Sequence, residues 1–110
     1  MFKTMNVNEF YPRWLIAHEK NEAINLIDVR SPEEYYSGHA PGAKLMPLNT
    51  LTARLDEIPQ DNEVYLICRS GARSAQAADY LACQCGRSNL INIEGGTMAW
   101  IEAGYPVEKA

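Results

Sequence analysis

YLICRSGARSAQAADYL, residues 65–81, joins a run of branched and aromatic residues to a stretch of small helix formers, and one thiol, Cys68, stands at the seam. A free cysteine is ordinarily a small core hydrophobe. This one is followed by Arg69, Ser70, Gly71, Ala72, Arg73 and Ser74, a polar and cationic set that a core thiol does not need. In open α/β sheets, ligands bind beyond the carboxyl ends of strands, where loops run into helix N-termini. EVYLIC (63–68) reads as a strand and SAQAADYLACQ (74–84) as the helix after it, so Cys68 falls at such an end. The intervening RSGAR is short enough to turn its backbone N–H groups inward around the sulfur, with Gly71 giving the dihedral freedom for the curve. The helix dipole and the charges of Arg69 and Arg73 then favour a thiolate and lower the cysteine pKa below its free value of about 8.5.

Outward from this seam the chain alternates strand and helix. INLIDV (24–29) is a buried strand rich in branched aliphatics, and SPEE after it starts a helix: Ser31 as N-cap, Pro32 at the first helical position, Glu34 closing a capping box, Gly38 as the stop. AKLMPL (43–48) reads as a short strand, and TLTARLDEI (50–58) carries Leu51, Leu55 and Ile58 at helical spacing before Pro59. NLINIE (89–94) is a further strand, passing through Gly95 and Gly96 into a last helix, TMAWIEA, closed by Gly104. Upstream, Asn8 is expected to cap a helix through EFYPRWLIAHE, with Pro12 tolerated in its first turn. Strands separated by helices imply a parallel sheet covered on both faces.

Composition narrows the function classes. The 110 residues, 46% hydrophobic, suffice for one domain with one core. A net charge of -4 provides no general basic field for nucleic acid or an acidic membrane surface, so any anion is bound locally. Cys68, Cys83 and Cys85 form no even disulfide framework and, with His18 and His39, no zinc-ligand spacing. The expectation is a reducing compartment, the cytoplasm, with no resident metal or cofactor. MFKTMNVNEF lacks the apolar core of a signal peptide, and about 18 consecutive apolar residues occur nowhere.

Three segments in order, LIDVRSPEEYYSGHAPGA (26–43), CRSGARS (68–74) and INIEGGTMAWIEAGYPV (91–107), make the sequence resemble a single-domain rhodanese-like sulfurtransferase over essentially its whole length, 1–110. The resemblance implies the rhodanese fold, a parallel five-stranded sheet flanked by helices on both faces. It also implies a persulfide on Cys68, with Arg69, Ser70, Gly71, Ala72 and Arg73 binding the substrate. The sulfur would come from a donor such as thiosulfate or a persulfide and pass to a thiol, cyanide or a sulfur-carrier protein. Arg69 is assigned to the mouth, Arg73 to the anion or to loop rigidity, and the amides of 69–73 to the sulfur. Ser74 is read either as a hydroxyl donor to the loop or as the N-cap.

Several residues read as scaffold. Asp28 and Arg30, with Glu34 nearby, suit an ion-paired corner, and His39 suits a hydrogen-bonded structural role. Trp100 is assigned to the core. On a helix from Ser74, positions 74, 77, 78, 81 and 85 share a face, putting Cys85 on the core side and Cys83 outside. Two other functions fit the same fold: a cysteine phosphatase or arsenate-handling enzyme, and a sulfur-relay or regulatory interaction module. Cysteine phosphatases use C-x5-R, whereas Cys68 and Arg73 give C-x4-R, a smaller cradle suited to one sulfur. Cys68 and both arginines argue against a merely binding module.

Overall fold

The computed structural model describes residues 2–109. Five parallel strands, β1 (Lys3–Asn6), β2 (Leu26–Asp28), β3 (Lys44–Leu45), β4 (Val64–Ile67) and β5 (Leu90–Glu94), form one sheet in the order β1-β5-β4-β2-β3. Four α-helices, α1 (Val7–Glu19), α2 (Pro32–Ser37), α3 (Ala72–Cys85) and α4 (Gly96–Glu102), and a 3-10 segment (Leu48–Glu57) connect and cover it. The strand order runs outward from β4 in both directions, which brings the carboxyl ends of β2, β4 and β5 side by side.

The sheet divides the core in two. On one face Ile27, Val64, Leu66 and Leu90 pack against Ala77, Ala78 and Leu81 of α3 and Leu51 of the 3-10 segment. On the other, Leu26, Tyr65, Ile67, Ile91 and Ile93 pack against Phe10 and Trp14 of α1 and Trp100 of α4. Successive strand side chains alternate between faces, so Cys68, two residues beyond Leu66, belongs to the α3 face. Trp100 is fully buried, as expected, and its indole N–H reaches the Pro106 carbonyl. Ser74, Ala77, Ala78 and Leu81 are the buried stripe of α3; Cys85 packs at its margin and Cys83 is exposed.

The structure adds edge strand β1, which the sequence reading lacked, and moves several element boundaries. Helix α1 is capped by Asn6, not Asn8: Asn6 Oδ1 accepts from the Glu9 amide at 2.9 Å while Glu9 Oε1 accepts from the Asn6 amide at 3.0 Å. That reciprocal box outcompetes a single cap two residues on. Pro12 therefore lies in the second turn, where it has no N–H to donate to the carbonyl of Asn8, an exposed residue. Helix α3 starts at Ala72 with Gly71 as its left-handed N-cap, so Ser74 is already inside the first turn. The segment around Leu51 and Leu55 is 3-10 in character and breaks at Arg54 (φ -123°, ψ 23°), although Leu51 and Ile58 are buried as their spacing requires. Helix α2 has the predicted form, Ser31 and Glu34 closing the capping box and Pro32 opening the helix.

Candidate active site

The thiol of Cys68 is 1% exposed at the end of β4, beneath the turn into α3. The Gly71 amide donates to Sγ at 3.0 Å and the Ser74 hydroxyl lies 3.3 Å from it. Burial pushes the thiol up, but the Ser74 hydroxyl and the amides of Ser74, Gly71 and Ser70 outweigh it, and the pKa falls below its ordinary value. The donor set thus differs from the expected amides of 69–73. Ser70 and Gly71 belong to it, Ser74 joins through both amide and hydroxyl, and Arg69, Ala72 and Arg73 are not among the main donors. Starting α3 at Ala72 turns the Ser74 amide and side chain back toward the strand end.

The outer side of the loop is held by α4. The Thr97 amide donates to the Cys68 carbonyl at 2.8 Å and the Met98 amide to the Arg69 carbonyl at 3.0 Å. With those carbonyls pinned outward, the following N–H groups are free to face the sulfur. Gly96 makes the approach possible: at φ +57°, a Cβ there would lie 2.5 Å from the Cys68 carbonyl oxygen and 2.6 Å from that of Arg69. Gly71 has φ +102°, and a Cβ there would lie 3.1 Å from the Gly95 nitrogen.

The two arginines have different surroundings. Arg69 is exposed and, among the described residues, enters no ion pair. It borders a cleft of about 270 Å³ with Arg30, Glu34, Thr97, Met98 and Ile101. Arg73 is engaged bidentately by Glu34, with both N···O distances 2.7 Å. Hydrogen bonding to Arg73 leads the lowering of the Glu34 pKa to about 2. Glu34 also accepts from the Ser31 amide, so one carboxylate caps α2 and ties it to the loop. Of the two roles open to Arg73, the geometry serves loop rigidity.

The anticipated corner contains Asp28 and Arg30 without Glu34. Arg30 Nε and Nη2 bond Asp28 at 2.9 and 2.8 Å, and Nη2 also reaches the Gly38 carbonyl at 2.8 Å. Both side chains are buried, and the pair joins the end of β2 to the end of α2. His39 stacks on Tyr35, with ring centroids 3.7 Å apart, and its Nδ1 meets the Tyr35 carbonyl at 2.8 Å. Those contacts make it a structural histidine.

Three participants escaped the sequence reading. Asn92 sits beside Leu66 in the β4–β5 register, on the α3 face, with Oδ1 2.5 Å from Ser74 Oγ. The signal was a lone carboxamide inside LINIE, where an aliphatic belongs. The bracing amides of Thr97 and Met98 carried no side-chain signal at all. Among the described residues, no helix is long and apolar enough to cross a membrane and no set of side chains is grouped to hold a metal ion.

Known proteins share this architecture. A solved rhodanese-related protein from Thermoplasma volcanium superposes with a TM-score of 0.81 at 31% identity, covering 96% of this chain and 97% of that one. A sulfurtransferase of Allochromatium vinosum is 42% identical over 86 residues, 78% of this chain and 79% of the relative. A putative sulfur carrier protein of Bacillus subtilis is 38% identical over 82 residues, 74% of this chain but 44% of that longer protein. The family model described as a rhodanese-like domain matches residues 11–103. Sequence and fold thus agree, and the chain belongs to the rhodanese-like domain family.

Proposed function

We propose that the protein is a sulfurtransferase that carries sulfane sulfur on Cys68 and accepts it from thiosulfate or a related donor. The observation that carries this reading is the sulfur cradle itself: a buried Sγ with the Gly71 amide at 3.0 Å and the Ser74 hydroxyl at 3.3 Å. These donors favour the thiolate, which attacks the outer sulfur of thiosulfate. The S–S bond of the donor breaks, sulfite leaves with its electron pair, and Cys68 holds a persulfide whose terminal sulfur carries the negative charge. Cyanide or a thiolate then attacks that terminal sulfur, and the Cys68 thiolate is the leaving group. No metal or external cofactor enters either step, and no general base is needed once the thiol is ionised.

In this mechanism Arg69 meets the oxyanion end of the donor at the mouth, while Gly71, Ser70 and Ala72 shape the cradle and Arg73 holds it through Glu34. The relative named as a putative sulfur carrier protein supports a protein thiol among the acceptors. A phosphatase reading fares worse, because the guanidinium that would clamp a phosphate is committed to Glu34. The C-x5 position is Ser74, whose hydroxyl serves the sulfur. The test is a paired assay, thiocyanate formation from thiosulfate and cyanide against hydrolysis of an aryl phosphate, for the wild type and Cys68→Ser. Thiocyanate formation lost in Cys68→Ser supports the proposal; phosphate release at enzymatic rates without sulfur transfer overturns it.

A further inference from the structure

The alternation that sends Cys68 toward α3 sends Asn92 there as well, from the neighbouring strand. Burying a carboxamide in the sheet core costs free energy unless it is hydrogen-bonded. Asn92 is 5% exposed, and the partner of its side chain among the described residues is Ser74. Ser74 in turn is fully buried and has three acceptors around one hydroxyl: Asn92 Oδ1 at 2.5 Å, the Gly71 carbonyl at 3.2 Å and Cys68 Sγ at 3.3 Å. A serine hydroxyl has a single proton to donate. Its orientation therefore decides whether the sulfur receives that hydrogen bond.

We propose that Asn92 is a positioning residue that lets the Ser74 hydroxyl follow the charge on Cys68. While Sγ is neutral, as a thiol or as the inner sulfur of a persulfide, the hydroxyl donates to Asn92 Oδ1. When Sγ is a thiolate, the hydroxyl turns to it, and the carboxamide rotates to present Nδ2 to the vacated Ser74 oxygen. Both states leave Ser74 and Asn92 hydrogen-bonded to each other, and the hydroxyl proton stays on Ser74 throughout. A carboxamide can do this because it has an acceptor and a donor at the same reach. An ionised aspartate accepts only and holds the hydroxyl away from sulfur; leucine does neither.

The inference rests on the reading of Cys68 as the nucleophile, but its test does not use sulfur transfer, so the two fail separately. The charged groups nearest this region are Arg73, which couples to Cys68 and to Asp28, its partner Glu34, and Arg30 paired with Asp28, with Arg69 next to Cys68 in sequence and Glu94 two residues beyond Asn92 on β5. All are unchanged in the variants. The experiment is the pH dependence of Cys68 alkylation by iodoacetamide, followed by peptide-resolved mass spectrometry so that Cys83 and Cys85 do not contribute. Asn92→Asp should raise the Cys68 midpoint by roughly one pH unit, a tenfold fall in thiolate below the midpoint. In a Ser74→Ala background the rise should be smaller, retaining only the direct repulsion between the new carboxylate and the thiolate, because the remainder runs through the hydroxyl. An unmoved midpoint, or an equal rise without Ser74, overturns the proposal. A measurement independent of Asn92 variants is the Asn92 side-chain amide resonance in the wild type, which should titrate with Cys68 and cease to do so in Ser74→Ala. A resonance that ignores Cys68 ionisation overturns it too.

Discussion

Gly96→Ala probes the contact on which the cradle is built. The added Cβ would lie 2.5 Å from the Cys68 carbonyl oxygen, 2.6 Å from the Arg69 oxygen and 2.7 Å from the Arg69 carbonyl carbon. All three are backbone atoms, so no side chain can swing aside. A left-handed conformation at a non-glycine residue costs about 1–2 kcal/mol, and overpacking a tight contact costs about 1–3 kcal/mol. The expected loss is about 2–5 kcal/mol, a large part of the roughly 5–15 kcal/mol that stabilises a typical domain. Gly104 supplies the control: it has φ +80°, and a Cβ there meets nothing within 4 Å. Gly104→Ala should show only the conformational cost, about 1–2 kcal/mol. Urea unfolding measures both. The Cys68 alkylation midpoint should rise in Gly96→Ala alone, because displacing α4 releases the carbonyls that Thr97 and Met98 hold. Equal losses in the two variants within about 0.5 kcal/mol, with Cys68 reactivity unchanged, would refute the close-approach argument.

Three further outcomes are expected. The Glu34 pKa of about 2 lies below its ordinary 4.5, so its pair with Arg73 contributes stability above the higher value and loses it as pH falls through the lower. Urea midpoints from pH 6 to pH 2 should therefore fall more steeply for the wild type than for Glu34→Gln, and parallel slopes would remove the pair from the acid response. Arg69→Ala should reduce kcat/KM for thiosulfate by roughly ten- to hundredfold, mainly through KM and with less effect on an uncharged persulfide donor; equal losses would make Arg69 part of the loop's structure. Thr97 Oγ1 is buried without a hydrogen-bond partner among the described residues, so Thr97→Val should keep or raise stability by up to about 1 kcal/mol, and a loss larger than that would reveal a partner.

Much of the fold was legible because its strong signals were local. The aliphatic runs around Ile27, Leu66 and Ile91 became strands, and Ser31-Pro32-x-Glu34 became a capped helix as read. Edge strand β1 was not legible: KTMN is mostly exposed and pairs with β5 through backbone, which leaves no apolar alternation to find. The candidate site was marked by Cys68, Ser70 and Gly71, but which groups face the Cys68 thiol depends on where α3 starts, and a two-residue shift exchanged Arg73 for Ser74. Arg73 found Glu34 across 39 positions, Asn92 joined through strand register, and α4 entered through backbone amides. Such partners are set by tertiary placement, which no local pattern encodes.

The central claim, that Cys68 holds the travelling sulfur, is tested most directly by intact-protein mass spectrometry after incubation with thiosulfate, followed by addition of cyanide. The wild type should gain the mass of one sulfur, located on the peptide that contains Cys68, and lose it to cyanide; Cys68→Ser should gain none. A gain that persists in Cys68→Ser, or no gain with thiosulfate or any persulfide donor, would contradict the account.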